Sequence, residues 1–188
     1  MGKEDPVNVM DSAVADLVLV KPTVRYMDAI ASYQKECREY GGAQNGDSGL
    51  KNAEDIGVWI EKCRLCECAE TVPDARWVEA EQFMLVRAGS ERVLGMINFR
   101  HELNAFLAEY GGHIGYGVRP SERRRGYAKA MLGLCLVKCR DFGLERVLIT
   151  VDRENEGSRR TVLACGGVYE RDSVDGDSVL ELYWVPCG

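Results

Sequence analysis

Histidine is nearly absent from this chain of 188 residues, which has only His101 and His113. That scarcity limits metal chemistry. Cys63, Cys66 and Cys68 form a C-x-x-C-x-C run, but no second cysteine pair matches it, so zinc would need a fourth ligand from a distance. The expected reading is three thiols at a helix end and no metal. A basic excess is also missing. Lys and Arg number 24 against 30 Asp and Glu, for a net charge of -6, which speaks against a dedicated nucleic-acid binder. No apolar run is long enough to span a bilayer, and Met1 to Asp11 lacks a signal-peptide core. No membrane partner and a cytoplasmic location are therefore expected, with reduced cysteines. The Met-Gly start lacks the Ser or Thr of a myristoylation signal, having Pro6 there. There is no internal repeat and no low-complexity segment.

What is present suits one soluble domain. Hydrophobic residues make up 46% and charged residues 29% of the chain. We expect a flexible extension over residues 1–15 and a single domain over 16–186. Leu17 to Val20 reads as a strand closed by Pro22. Thr23 is placed to cap a helix reaching Tyr40, with Met27, Ile30 and Ala31 inward and Gly41-Gly42 as the stop. A polar loop from Gly42 to Leu50 precedes a helix carrying Ile56, Trp59, Ile60 and Cys63 on one face.

From Trp77 the period changes. Strands are expected over 82–87 and 92–100, joined at Gly89-Ser90, and over 113–118. An amphipathic helix over 126–142 places Ala128, Met131, Leu132, Cys135, Cys139 and Phe142 on one face, and Gly143 ends it. The continuous apolar run Val147–Val151 reads as a strand covered on both sides. A shorter helix follows, capped by Asn155 and stopped by Gly166-Gly167. Strands near 168–171 and 179–184 complete an α/β domain with a mixed, mostly antiparallel sheet of about seven strands.

The segment from Gly111 to Ala128 carries the chemistry. Gly115 and Gly117 alternate inside an apolar strand, which marks a bulge or the close approach of another chain or ligand. Arg119, Arg123, Arg124 and Arg125 then fall within seven residues, directly before the strong helix. A helix N-terminus repels cations, so arginines belong there when a multiply charged anion neutralises both. Gly126 removes a side chain where a phosphate would touch the backbone. On their own, these arginines read equally as a solvated basic loop.

Arg123-Arg124-Arg125-Gly126-Tyr127-Ala128 matches the signature Q/R-x-x-G-x-G/A, and through it the chain resembles the GNAT superfamily of N-acetyltransferases. The stretches Asn98–Asn104, Tyr110–Tyr116 and Pro120–Ala128 resemble a poorly described group of predicted acetyltransferases within it. The resemblance covers roughly residues 16–186. It implies a GNAT fold, acetyl-CoA as cosubstrate and an amine acceptor, and it is compatible with a homodimer. It implies that Arg123, Arg124, Arg125, Gly126, Tyr127 and Ala128 bind the pyrophosphate. Tyr116, Gly117 and Val118 would line the pantetheine arm, with Asn155 touching it.

Transfer to an amine requires its free base, and a lysine-like amine has a pKa of about 10.4 in water. His113, His101 and Glu102 are the candidate bases. The oxyanion needs donors, for which backbone N–H groups near Val118 are suited. The tyrosine that protonates the departing thiolate in many GNAT enzymes is replaced by Val162, leaving Tyr116 and Tyr169 as substitutes. The leading expectation is acetyl transfer to a primary amine of a small molecule or peptide. A catalytically weak module that senses coenzyme A is the alternative, and a metal-binding interaction protein built on Cys63, Cys66 and Cys68 is the third reading.

Overall fold

The computed structural model describes residues 16–41 and 45–188. The expected extension over 1–15 and the stop residue Gly42 lie outside the described residues. Among the described residues seven strands form: β1 (Leu17–Val20), β2 (Ala80–Arg87), β3 (Gly95–Arg100), β4 (Ile114–Val118), β5 (Arg146–Asp152), β6 (Val168–Asp175) and β7 (Ser178–Pro186). Four α-helices accompany them: α1 (Met27–Tyr40), α2 (Ile56–Leu65), α3 (Tyr127–Phe142) and α4 (Glu156–Ala164). The strands divide into two sheets, ordered β1-β2-β3-β4 and β5-β7-β6, and every pairing is antiparallel.

The period-two alternation of β2 and β3 explains why both faces are apolar. Phe83, Leu85, Ile97 and Phe99 pack toward Met131, Leu132, Cys135 and Cys139 of α3. Met84 and Met96 turn the other way, to Ile30, Tyr33 and Cys37 of α1 and Trp59 and Cys63 of α2. Asn155 caps α4 as expected, accepting from Ser158 N at 3.1 Å. Thr23 does not cap α1. A single 3-10 turn over Val24–Tyr26 intervenes, so the helix starts three residues later than a Thr23 cap would place it, and Met27 is 39% exposed. β3 likewise begins at Gly95 rather than at 92, since Val93 and Leu94 are buried without joining the ladder.

The two sheets meet at one clasp. His113 N donates to Leu148 O at 2.7 Å, and Leu148 N donates to His113 Nδ1 at 2.9 Å. Gly112 permits this approach, because a Cβ there would lie 2.5 Å from Leu148 O and its φ is +62°. Past the clasp, no ladder joins β4 to β5 among the described residues. The gap between these unpaired edges is the cleft.

The clasp makes a stability prediction. Burial, with the charge of Arg100 adding to it, pushes the His113 pKa down to about 4. The folded state therefore holds a neutral ring, while the unfolded chain takes up a proton near pH 6.5. Between pH 6.5 and 4 the unfolded state binds more protons, so stability falls as pH falls, by up to roughly 3 kcal/mol in total. His113→Ala leaves Leu148 N unsatisfied and should cost about 1–3 kcal/mol at pH 7. It should also flatten the acid limb of a denaturant-midpoint profile. An unchanged acid limb in the variant would assign that limb to other groups.

Candidate active site

Antiparallel pairing directs the N–H and C=O of alternate residues to the same neighbour. Arg100 N donates to His113 O and Arg119 N donates to Leu94 O, both at 2.8 Å. The alternation thus commits residues 115, 117 and 119 to β3 together with the His113 carbonyl, while the His113 N–H goes to Leu148. Ile114, Tyr116 and Val118 turn their backbone groups to the open edge of the cleft. This edge can accept an extended amide-bearing arm as an added strand. Gly115 packs on the other side against Gly46, whose Cβ position lies 2.3 Å from Gly115 O. The glycine alternation thus accommodates the chain's own loop between α1 and α2.

The loop after β4 supplies donors. Within α3 the first bond from this end runs from Ala130 N to Gly126 O at 3.1 Å, so the N–H groups of Tyr127, Ala128 and Lys129 have no helical acceptor. No side chain caps them, and no acidic residue occupies the first turn. Gly126 stands at φ +79° with nothing within 4 Å of its Cβ position, so an anion can approach the backbone. Arg124 is also left-handed, at φ +62°.

The four arginines divide in role. Arg119 is 1% exposed. Its Nη2 donates to Ser32 Oγ at 3.0 Å and its Nε lies 3.5 Å from Glu36, so it holds α1 to the sheet and does not belong to the surface patch. Arg123 stacks over the Tyr40 ring at 4.4 Å and donates to Val118 O at 3.4 Å. Arg125 pairs with Glu122 at 3.2 Å. Arg124 is exposed and has no hydrogen bond or ion pair among the described residues. Tyr127 is buried, with its hydroxyl accepting from Arg87 at 2.9 Å, which fixes the helix start.

Tyr116 crosses the cleft. Its hydroxyl lies 2.8 Å from Ser158 Oγ and donates to Ser158 O at 3.3 Å, linking β4 to α4. Burial pushes its pKa up to about 12, against the opposing hydrogen bond to Ser158. Val162 is fully buried in the core beneath α4. Ser158 was not singled out in the sequence, because a serine in a first helical turn reads as an ordinary helix start.

The candidate bases lie elsewhere. His113 has its Nδ1 lone pair taken by Leu148 N. His101 packs on Phe142 at 4.2 Å between ring centroids, at the end of α3 opposite Gly126. Sixteen residues of helix separate the two ends, about 24 Å. There His101 sits 3.5 Å from both Glu79 and Glu81, and Glu102 shares a groove of about 520 Å³ with it. His101 and Glu102 are not brought to the cleft. Tyr169 is exposed and donates to Asp172 at 3.0 Å. Asn155 stands at the start of α4 with its Oδ1 used as the cap. Cys63 is buried, Cys66 half-buried and Cys68 exposed. Among the described residues, no group of three or more His, Cys, Asp and Glu is placed to hold a metal ion. No described helix is long and apolar enough to cross a membrane.

Comparisons with known proteins agree with this architecture. RimJ of Mycobacterium smegmatis, solved in complex with CoA-disulfide, superposes with a TM-score of 0.66 at 21% identity, covering 90% of this chain and 81% of that one. An acetyl transferase from Salmonella typhimurium that modifies the N-terminal serine of a 50S ribosomal subunit protein gives 0.64 at 14% identity, covering 93% and 96%. A spermidine N-acetyltransferase SpeG chimera from Vibrio cholerae and hSSAT gives 0.63 at 15% identity, covering 92% and 96%. At these identities the likeness is one of fold. No curated protein matches the chain by sequence. The family model for the acetyltransferase (GNAT) domain matches residues 16–168, and the chain therefore belongs to the GNAT acetyltransferase family.

Proposed function

We propose that the protein transfers an acetyl group from acetyl-CoA to a primary amine, with both substrates bound together in the cleft between β4 and β5. The observation that carries this is the uncapped, acid-free N-terminus of α3 beside the open edge of β4. One end offers donors to a pyrophosphate and the other offers a strand edge to the pantetheine amides. Arg124 and the N–H groups of Tyr127, Ala128 and Lys129 hold the phosphates. Arg123 is steadied by Tyr40 and reaches the same anion from the side. Tyr116, Gly117 and Val118 line the arm. Neighbours of the same fold are named as spermidine and ribosomal-protein acetyltransferases, which supports an amine acceptor.

Tyr116 and Ser158 serve as the acid pair at the departing sulfur. A tyrosine pKa of about 12 keeps the proton in place at neutral pH, as an acid requires. This pairing favours an enzyme over a sensor that only binds coenzyme A. With His113 Nδ1 engaged by Leu148 N and His101 packed on Phe142, we assign deprotonation to solvent in the cleft or to the free-base fraction of the amine.

Calorimetry with acetyl-CoA, followed by turnover on polyamines, aminoglycosides, amino acids and peptides, tests the reading. Saturable binding and release of free thiol are expected. Arg124→Ala should weaken binding by about 0.2–1 kcal/mol and lower its salt sensitivity. Absence of acetyl-CoA binding by the folded wild type would overturn the proposal.

A further inference from the structure

Arg100 ends β3, and the alternation from Met96 and Asn98 turns its side chain to the α1 and α2 side of the sheet. Its Nη1 donates to Gly111 O and to Gly112 O, each at 3.0 Å. Its Nη2 and Nε have no acceptor, and no carboxylate pairs with it, among the described residues. Arg100 is half-buried, and burial lowers its pKa. The Nη2 lies 3.6 Å from the Cβ position of Gly115, between the open-edge residues Ile114 and Tyr116. A half-buried guanidinium without a counter-ion leaves its remaining donors to solvent or to an anionic ligand. Two free donor atoms on one face of the fork match a carboxylate, which can take both.

We infer that the acceptor is an amine that also bears a carboxylate, of the α-amino-acid type, and that Arg100 binds that carboxylate through Nε and Nη2. The inference rests on the acetyl-transfer reading above and names its acceptor class. Arg100 fixes the acceptor at the inner end of the cleft, so that the amine faces the open edge of β4. A polyamine carries no group for this position. The contact selects the acceptor and takes no part in bond making.

The test compares free amino acids with their α-amides, with spermidine as a third acceptor. The wild type should favour at least one free acid over its amide by about tenfold or more in kcat/KM. Arg100→Gln should raise KM for that acid by about tenfold or more while leaving its amide and the acetyl-CoA affinity within about threefold. Arg100→Lys should recover part of the loss. A second measurement needs no turnover. N-acetylated amino acids should raise the Tm of the CoA-loaded wild type but not of Arg100→Gln, and their amides should raise neither. Equal treatment of acid and amide by the wild type overturns the inference, as does turnover of spermidine alone. An equal fall in kcat for both in Arg100→Gln assigns Arg100 to the reacting centre or to support of Gly111 and Gly112, and also overturns it. If acetyl-CoA fails to bind the wild type, the acetyl-transfer reading itself fails. If acetyl-CoA binds but no acid is preferred, only the Arg100 inference fails.

Discussion

Gly126→Asp should abolish measurable acetyl-CoA binding while the circular dichroism spectrum stays that of the wild type. The fold should survive because Gly126 is exposed and nothing stands within 4 Å of its Cβ position. Its left-handed backbone, at φ +79°, imposes a strain of about 1 kcal/mol on a residue with a Cβ, and Asp tolerates that region better than most. Attraction between the new carboxylate and the helix N-terminus offsets about 0.3–1 kcal/mol of it. The cosubstrate meets the opposite situation, since its pyrophosphate must approach the same N–H groups against a fixed negative charge. Two charges about 4 Å apart interact by about 4 kcal/mol at an intermediate dielectric, with less in a wet loop. A loss of about a hundredfold or more in affinity follows. Gly126→Asn introduces the same strain and nearly the same bulk without the charge, and should lose about tenfold at most. Calorimetry on the pair separates charge from shape. Equal losses in Asp and Asn variants would mean that the anion does not sit at this helix end.

The uncapped helix start behind a basic loop, proposed above as the cofactor end of the site, was legible because it is local. A basic loop, a glycine and a helix start lie within six consecutive residues, Arg123 to Ala128, and the chain needs no distant contact to present them. The same locality explains the correct placement of β2, β4, β5, α3 and the Asn155 cap. The start of α1 was misjudged because Thr23 has the chemistry of a cap but not its geometry. A 3-10 turn takes the first residues instead, and its ends rest on tertiary packing.

Roles that depend on partners far along the chain were hidden. Arg119 looks like its neighbours Arg123 to Arg125, and only the contacts with Ser32 and Glu36 reveal that it is a structural residue. His113 has the pattern of a base on the cofactor strand, yet Leu148 N, 35 residues away, takes its lone pair. His101 and Glu102 follow the end of β3 directly, but the length of α3 stands between Phe142 beside them and the loop before α3. Gly115 was expected to make room for a ligand, and it faces Gly46. Arg100 drew no notice within Asn98–Asn104, because its lack of a carboxylate is a property of the folded surroundings.

Tyr116→Phe should lower kcat by about a hundredfold while leaving acetyl-CoA affinity within about threefold. The hydroxyl stands on the side of the cleft that α4 closes, 2.8 Å from Ser158 Oγ, where the resemblance to GNAT enzymes leads one to expect a tyrosine on α4 itself. Val162 occupies that place and is buried, so the hydroxyl arrives instead from the opposite wall. Removal of a general acid typically costs about 100- to 10,000-fold, and the lower end is expected because a thiolate is a weak base that leaves with little help. Ser158→Ala should cost less, since the Tyr116 hydroxyl retains Ser158 O at 3.3 Å as an acceptor. The double variant should be little worse than Tyr116→Phe alone, because two groups that move one proton act as a unit. The pH profile gives a further check. An acid with a pKa of about 12 remains protonated through neutrality, so loss of its proton should not limit kcat below about pH 10. The acceptor amine should instead set the rising limb, as its free-base fraction grows with pH. Turnover by Tyr116→Phe within threefold of wild type, with the same profile, would return the hydroxyl to a purely structural link between β4 and α4.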